Sequence, residues 1–311
     1  MNPSQVDRDL YCLASAGFIV MKDFLSNASI EALCAEVLDF EAEVREYARA
    51  CDVDFRHGWP LITTRCVYCV SQAVQDVAMS DRIQNIAQKY LGGALIRDCL
   101  LQTNMPDPRN KTRGVGAKLS YHRDTLWTGD AINPAYLHAF VLLTDFTSEN
   151  GATYVVPGSH RFREPGYYFK HSEKGSLAKG VDYLVYDQAY FPSVVQLLAP
   201  RGSLIFLDPM TIHSQGVNVT DQSRSLLNIT FRKEGIVANP PLLNARRIAS
   251  RSSRVPVRQD FLDLLEADPD LPSHFGPLGT DRDVRRASTH LPWEKVMRKD
   301  SRASDAIRRV E

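Results

Sequence analysis

The chain has 311 residues, of which 44% are hydrophobic and 24% charged, the composition of an ordinary globular protein. Its 37 basic and 37 acidic residues cancel, which argues against nucleic acids and anionic membranes as partners because both attract excess positive charge. No apolar run reaches the roughly 18 residues that a membrane span needs. The N-terminus has early acidic residues and no apolar signal core, so we expect a cytoplasmic protein.

All six cysteines lie in the first third of the chain. Cys66 and Cys69 have the spacing of half a zinc or redox site, but no second pair with this spacing follows. Disulfides are rare in cytosolic proteins, and free cysteine is among the most buried residue types. We therefore predict buried, reduced thiols.

The N-terminal region of the chain is predicted to be mainly helical. The apolar run 17–20 predicts a short strand. Ser26 is the predicted N-cap of a helix whose apolar residues recur every three or four positions. A second helix is expected over 80–91, and Gly92 and Gly93 should end it.

From Ala94 onwards the pattern changes to strands. Short runs of β-branched and aromatic residues alternate with turn residues up to about residue 235. Helices followed by strands predict an α+β protein, mainly β, whose helices back one sheet. The strands suffice for a jelly-roll of two facing sheets. We predict one domain with three regions: helices over residues 1–93, a jelly-roll core over 94–235 and a C-terminal extension over 236–311.

Two segments do not follow this strand pattern. Residues 161–198 form a long connection rich in aromatic side chains, which suits a lid over a binding site or a flap packed on the core. The same aromatic residues leave a homodimer contact open. The segment 246–258 carries several arginines and no acid, and we keep two interpretations for it, a solvated surface and an anion-binding patch.

His122 and Asp124 form a pair separated by one residue. In an extended backbone such residues project to the same side, so an imidazole and a carboxylate can bind one ion. His213, after a predicted strand, offers a third ligand. Two histidines and one carboxylate leave three positions of an octahedron open, which suits a non-haem iron(II) that also binds a co-substrate and O2. The pair alone is a weak signal, because chance pairs are common in a chain with eight histidines.

Arg224 begins a strand whose two faces differ in character. Alternation separates its residues into one set, Arg224, Leu226, Asn228 and Thr230, and another, Ser225, Leu227, Ile229 and Phe231. A polar inner face and an apolar outer face suit a barrel that binds a ligand inside and is covered by helices outside. A guanidinium aimed into the lumen needs an anion, and a carboxylate matches its fork.

Residues 142–160, LLTDFTSENGATYVVPGSH, stand between the His122/Asp124 pair and the later His213 and Arg224. This ordered set resembles the phytanoyl-CoA dioxygenase family of Fe(II)- and 2-oxoglutarate-dependent oxygenases. The resemblance is good from about residue 100 to 232 and weaker over the N-terminal helices. It implies a double-stranded β-helix, a cupin-like form of jelly-roll, and an oxidoreductase that uses Fe(II), 2-oxoglutarate and O2.

The resemblance also assigns site residues. The iron ligands would be His122, Asp124 and His213, and Arg224 would pair with the distal carboxylate of 2-oxoglutarate. The remaining co-substrate pocket would be lined by Thr153, Phe140, Gln102 or Leu101, and Arg65. Many family members have a small residue where this chain has Gln215, so contacts from Ser214 and Gln215 stay open. No catalytic residue beyond the ligands is implied, and the other histidines, among them His138, are predicted to be structural or exposed, with His160 in a turn or beside the site.

The implied reaction is oxidation of an unactivated C–H bond with release of succinate and CO2. In halogenating relatives glycine or alanine replaces the carboxylate ligand, whereas Asp124 is present here, so hydroxylation is the expected outcome. Desaturation, cyclisation and endoperoxide formation stay open. The expected substrate is a small molecule, a specialised metabolite. Residues 125–128 would shape the pocket that binds it. Three alternatives remain: a hydroxylase of acyl thioesters, a cupin-type metalloenzyme that does not use 2-oxoglutarate, and a non-catalytic binding or regulatory protein that keeps the barrel.

Overall fold

The computed structural model describes residues 4–50, 61–64, 66–106, 111, 121–124, 134–161, 193–235 and 253–265. Arg65, residues 125–128, most of the connection 161–198 and most of the C-terminal extension therefore lie outside the described residues. Within the portion of the chain that is described, no helix combines the length and the apolar character needed to cross a membrane.

Two of the N-terminal elements follow the predictions closely. Strand β1 (Phe18–Met21) is the predicted short strand. Helix α2 (Asn27–Ala50) begins after Ser26, whose Oγ accepts a hydrogen bond from the backbone N–H of Ser29 at 3.2 Å. This is the expected N-cap, because the first N–H groups of a helix have no partner within it.

The helix before Gly92 is also confirmed, and two further helices were not foreseen. Helix α4 (Asp81–Leu91) begins after Ser80 and ends at Gly92, whose φ of 69° is left-handed. The additional helices are α1 (Gln5–Ala16) and α3 (Gln72–Ala78). Helix α1 ends at Gly17, again in the left-handed region that favours glycine.

The remaining elements are strands, with one short helix near residue 260. Their bounds are β2 (Leu61–Thr64), β3 (Ala94–Asn104), β4 (Tyr136–Leu142), β5 (Tyr154–Val155), β6 (Val195–Gln196), β7 (Leu204–Leu207), β8 (His213–Ser214), β9 (Arg224–Lys233) and α5 (Gln259–Leu264). They form a sheet of order β1-β7-β4-β9-β3-β2 and a smaller one of order β6-β5-β8. All paired strands within these sheets are antiparallel. The prediction of a mainly β protein with helices is confirmed.

The larger sheet separates two apolar cores. Ile229 and Phe231 of β9 pack among side chains of the helices, such as Leu33 of α2 and Ile86 of α4. Leu226 on the opposite face belongs to a second core shared with both sheets, whose members include Phe140, Leu142, Val155, Ile205 and Leu207. Each fully buried large apolar side chain contributes roughly 1.5–3 kcal/mol. The alternation predicted for this strand is therefore confirmed, with helices covering its apolar face.

Most of the described cysteines are buried thiols, as predicted. Cys66, Cys69 and Cys99 belong to the core under the helices, and Cys34 is also buried and unbridged. Burial raises the pKa of the Cys69 thiol to about 12, so this group stays protonated at neutral pH. Cys12 differs from the prediction because it lies on the solvent-facing side of α1.

The end of the described chain packs on the helical side. Phe261 of α5 is fully buried, and its ring centroid lies 5.2 Å from that of Tyr68. In the arginine-rich segment, Arg254 pairs with Glu43, and Arg258 pairs with Asp76 and Asp260. These two arginines are neutralised by the protein itself, which favours the surface interpretation over an anion-binding patch at their positions.

Gly17 joins α1 to β1 where no side chain fits. A Cβ on Gly17 would overlap the hydroxyl of Thr211 and lie 2.6 Å from Nδ1 of His160, whereas one on Gly92 would meet no atom within 4 Å. Both glycines have a positive φ, so alanine adds about 1–2 kcal/mol of backbone strain at each, and only at Gly17 a further cost of about 1–3 kcal/mol for overpacking. We expect Gly17→Ala to lower the free energy of unfolding in urea by about 2–5 kcal/mol, and Gly92→Ala by only about 1–2 kcal/mol. Equal losses would contradict the predicted overlap.

Candidate metal centre

The three predicted metal ligands lie close together, with His213 on β8 of the smaller sheet. The backbone N–H of His122 donates to the carbonyl of His213 at 2.8 Å, and the N–H of His213 donates back at 3.0 Å. This antiparallel bridge sets the imidazoles side by side, with ring centroids 4.5 Å apart. Asp124 follows two residues after His122, and its N–H donates to the carbonyl of Pro209 at 3.0 Å.

The potential ligand atoms face one another. Nε2 of His122 lies 3.3 Å from Oδ1 of Asp124, and Nε2 of His213 lies 3.5 Å from Oδ2. All three ligand atoms lie within 4.8 Å of one another, and no other such group of His, Cys, Asp or Glu occurs in the described ranges. Two imidazoles and a carboxylate suit a divalent transition metal with open positions. The donor set therefore fits iron(II).

The protonation states also fit a metal. Nδ1 of His213 lies 2.8 Å from the carbonyl of Thr211, which can only accept, so Nδ1 carries a proton and a metal would take the place of any proton on Nε2. Burial alone would raise the pKa of the Asp124 carboxyl. The charge of His213 and hydrogen bonds from His122, His138 and His213 nevertheless hold that pKa well below its usual value. The carboxylate is therefore anionic, as metal binding requires.

Arg224 is buried without a counter-ion among the described residues. Its side chain is 2% exposed, and its Cζ lies 4.6 Å from the ring centroid of Phe146. Its Nε finds no hydrogen-bond partner there, and burial lowers the pKa of the guanidinium to about 9. A buried, unpaired cation is costly, whereas a bound carboxylate would match it with two hydrogen bonds. The surroundings of Arg224 therefore fit an anionic ligand such as 2-oxoglutarate.

The other predicted pocket residues divide between the two faces of the large sheet. Phe140 and Gln102 lie beside Asn228: Phe140 is its register partner on β4, and Oε1 of Gln102 accepts from its Nδ2 at 3.5 Å. Leu101 is fully buried on the helical side, so of the two alternatives only Gln102 faces the site.

Thr153, a predicted pocket residue, and Ser214, whose contact was left open, lie at the second sheet. Thr153 is 7% exposed and directly precedes β5. Oγ of Ser214 on β8 donates to the carbonyl of Gln215 at 3.1 Å.

His138 is the residue that the sequence analysis missed. It is 8% exposed, and its Nε2 lies 3.2 Å from Oδ2 of Asp124, so it is neither exposed nor remote from the site. The alternation of β4, which puts His138 on the same face as Phe140, could have indicated this. His160, by contrast, lies in a 3₁₀ turn as predicted, with Nε2 3.1 Å from the carbonyl of Ala14.

Comparison with known proteins agrees with the family indicated by the sequence. Residues 13–226 match the family described as phytanoyl-CoA dioxygenase (PhyH), a range that includes the three metal-ligand candidates and Arg224. The resemblance proposed from the sequence is thereby confirmed.

Among characterised relatives, L-proline trans-4-hydroxylase of Streptomyces griseoviridis is 31% identical over 157 residues, which are 46% of this chain and 56% of that protein. Ectoine dioxygenase of Bordetella parapertussis is 26% identical over 274 residues, 80% of this chain and 84% of that protein. The first alignment thus spans about half of the relative's length, and the second spans most of it.

A similar solved structure is that of the epimerase SnoN in complex with Fe3+, alpha ketoglutarate and nogalamycin RO. It has a TM-score of 0.53 and 16% identity, and the match covers 87% of this chain and 97% of SnoN. A second SnoN structure, from nogalamycin biosynthesis, also has a TM-score of 0.53, with 18% identity. At this identity the likeness establishes a shared fold.

The Fe(II) affinity of the apoprotein tests the grouping of the three ligand candidates. Asp124→Ala removes one ligand and the charge that offsets the cation, so we expect Fe(II) binding to weaken by at least about 100-fold, the upper end of what losing an outer hydrogen-bond partner costs. Anaerobic calorimetric titration measures the change. Asp221→Ala removes an exposed carboxylate that pairs with Lys111, and it should bind Fe(II) like the parent chain. Parent-like affinity in the Asp124 variant would exclude Asp124 as a ligand.

Proposed function

The chain belongs to the phytanoyl-CoA dioxygenase family and is an Fe(II)- and 2-oxoglutarate-dependent dioxygenase, and we propose that it hydroxylates an unactivated C–H bond of a small molecule. We assign iron binding to His122, Asp124 and His213, and binding of the 2-oxoglutarate distal carboxylate to Arg224. The observation that carries this proposal is the convergence of three ligand atoms within 4.8 Å in a fold that also buries the Arg224 guanidinium, which has no counter-ion among the described residues.

We further propose that the two sheets are the halves of a double-stranded β-helix within a single domain. The second apolar core contains Phe140 and Leu226 from the larger sheet and Val155 from the smaller one, so the sheets face each other across it. Isolated bridges between Phe146 and Ala199, and between Asn150 and Asn218, support further strand pairing around this core.

Several residues of the chain are proposed to bind the co-substrate, each in a different way. Arg224 is 2% exposed, so a carboxylate on its guanidinium would be held away from water, where a charge-assisted pair is strong. Phe146 covers one side of the guanidinium and limits its movement. Thr153, Phe140, Gln102 and Arg65 complete the proposed pocket. Iron(II), 2-oxoglutarate and O2 together supply the oxidant that breaks the C–H bond, with succinate and CO2 as co-products.

Hydroxylation is the outcome that we propose, because Asp124 keeps the position that halogenating enzymes leave open for a halide. Desaturation, cyclisation and endoperoxide formation remain accessible to the same oxidant. SnoN is an epimerase, so this fold also serves outcomes other than hydroxylation.

We propose a small-molecule substrate, a specialised metabolite, and no nucleic-acid or membrane partner. A proline hydroxylase and an ectoine dioxygenase among the relatives support a small molecule. The alternative acyl thioester gains no support from Arg254 and Arg258, since both already pair with carboxylates. A homodimer stays a second possibility for the aromatic connection 161–198.

A screen for succinate release tests the reaction and finds the substrate. Candidate metabolites are incubated aerobically with the Fe(II)-loaded enzyme and 2-oxoglutarate, and we expect the true substrate to raise succinate formation above the background without substrate. Mass spectrometry should show a product with one additional oxygen atom. Product formed without 2-oxoglutarate would overturn the proposal in favour of the cupin-type alternative.

The role of Arg224 can be measured without knowing the substrate. Anaerobic Fe(II) and 2-oxoglutarate should give a visible charge-transfer absorption whose titration reports co-substrate affinity. Removing one partner of a buried ion pair costs about 3–5 kcal/mol, so we expect Arg224→Ala to weaken 2-oxoglutarate binding by at least about 100-fold. Arg224→Lys keeps the charge but lacks the paired N–H donors of the guanidinium. Its affinity for 2-oxoglutarate should therefore lie between those of the parent chain and Arg224→Ala. Arg201→Ala, which removes a surface arginine paired with Glu31, is the matched control and should leave the titration unchanged. Parent-like affinity in Arg224→Ala would remove Arg224 from the co-substrate site.

A further inference from the structure

His138 lies in the middle of the large sheet, beside the proposed iron site but outside its ligand set. Its register partners are Thr230 on β9 and Leu207 on β7, so strands flank it on both sides. Its ring stacks on that of Phe140, with centroids 5.7 Å apart and planes inclined by 18°. At 8% exposure, the imidazole has little freedom to turn.

Both ring nitrogens of His138 have polar partners. Nδ1 lies 3.3 Å from the hydroxyl oxygen of Thr230, and Nε2 lies 3.2 Å from Oδ2 of Asp124. An ionised carboxylate only accepts hydrogen bonds, so Nε2 must donate. In the neutral imidazole Nδ1 then accepts from the Thr230 hydroxyl, whose oxygen also lies 3.5 Å from Oδ1 of Asn228. The contacts thus define a directed chain from Thr230 through His138 to Asp124.

Asp124 needs such a contact more than His213 does. The ring of His213 is held by the carbonyl of Thr211, 2.8 Å from its Nδ1, whereas the Asp124 side chain is 34% exposed and the backbone bond to Pro209 does not hold its carboxylate. A carboxylate can rotate and can bind a metal through one oxygen or two. An oxygen already engaged by an N–H group is a poorer ligand, so His138 favours binding through the other oxygen and leaves more positions for co-substrate and O2.

We propose that His138 is a positioning residue, which holds Oδ2 of Asp124 so that the carboxylate presents Oδ1 to the iron, and that Thr230 fixes the orientation of the imidazole. This inference rests on the proposed function, because it takes Asp124 to be an iron ligand. It assigns to His138 a role through Asp124 and none as a ligand of its own.

Fe(II) affinity of the apoprotein, measured by anaerobic calorimetric titration, tests this role. We expect His138→Ala to weaken Fe(II) binding by about 10–100-fold, the usual effect of losing an outer hydrogen-bond partner of a metal ligand. His138→Gln keeps an N–H donor and should restore most of the affinity. Thr230→Val keeps the shape of the side chain without the hydroxyl, and it should cause a smaller loss in the same direction.

A control and a double variant separate positioning from a structural or ligand role. His160→Gln changes another buried histidine, one that contacts the backbone of α1, and should leave Fe(II) affinity unchanged. If His138 acts through Asp124, the variant Asp124→Ala/His138→Ala should bind Fe(II) no more weakly than Asp124→Ala alone. A further loss in the double variant, or an equal loss in His160→Gln, would overturn the positioning role.

The outcomes also distinguish this inference from the proposed function. Parent-like affinity in His138→Ala together with a large loss in Asp124→Ala would refute the role of His138 and leave the iron site in place. Parent-like affinity in Asp124→Ala would refute the iron site itself. Should His138→Ala not fold, the thermal unfolding of the apoprotein would reveal it, and Thr230→Val and His138→Gln would decide the question.

Discussion

The site depends on one constraint, which is that β9 must be buried on both faces near the centre of the large sheet. Its neighbours β3 and β4 satisfy its backbone, so only side-chain chemistry distinguishes the two sides. Ile229 and Phe231 meet the helices in an apolar core. On the other side, Asn228 and Thr230 are almost as buried yet polar, and they need partners. Those partners are Gln102 and His138 on the flanking strands, and His138 also contacts Asp124 of the proposed metal centre.

The polar face of β9 stabilises the fold less than an apolar face would, and it lies where we propose that the chemistry takes place. Arg224 lies in the same face, and without an anion its burial is unfavourable, as the lowered pKa of the guanidinium indicates. Around Asp124, three imidazoles crowd one carboxylate within hydrogen-bonding range. A folded protein that keeps such groups together without using them would be better stabilised by apolar residues. Both arrangements become favourable when a cation and a dicarboxylate bind, which is the physical reason to interpret them as one site.

The sequence predicts those elements of the site that lie close together along the chain or repeat with the period of a strand. His122 and Asp124 stand two residues apart, and the alternation that begins at Arg224 is visible without a structure. The alternation of β4 could have placed His138 on the face of Phe140, but its contact with Asp124 was not predictable in this way, because that contact depends on the register that places it opposite Thr230. Helix α1 was missed for a different reason. Its stretch is rich in polar residues, and its start is a capping box that uses Asp7 in place of the more usual Glu or Gln.

The positions along β9 also support a location for the co-substrate. Arg224 and Thr230 are six residues apart on one face, or about 20 Å at the usual strand rise of roughly 3.3 Å per residue. Arg224 stands at one end of this face, and His138, the register partner of Thr230, stands at the other. Asn228 lies between them, with Phe140 beside it on β4 and Gln102 on β3. The three side chains that we propose for the middle of the pocket therefore lie between the guanidinium that we propose as the carboxylate anchor and the imidazole that contacts Asp124.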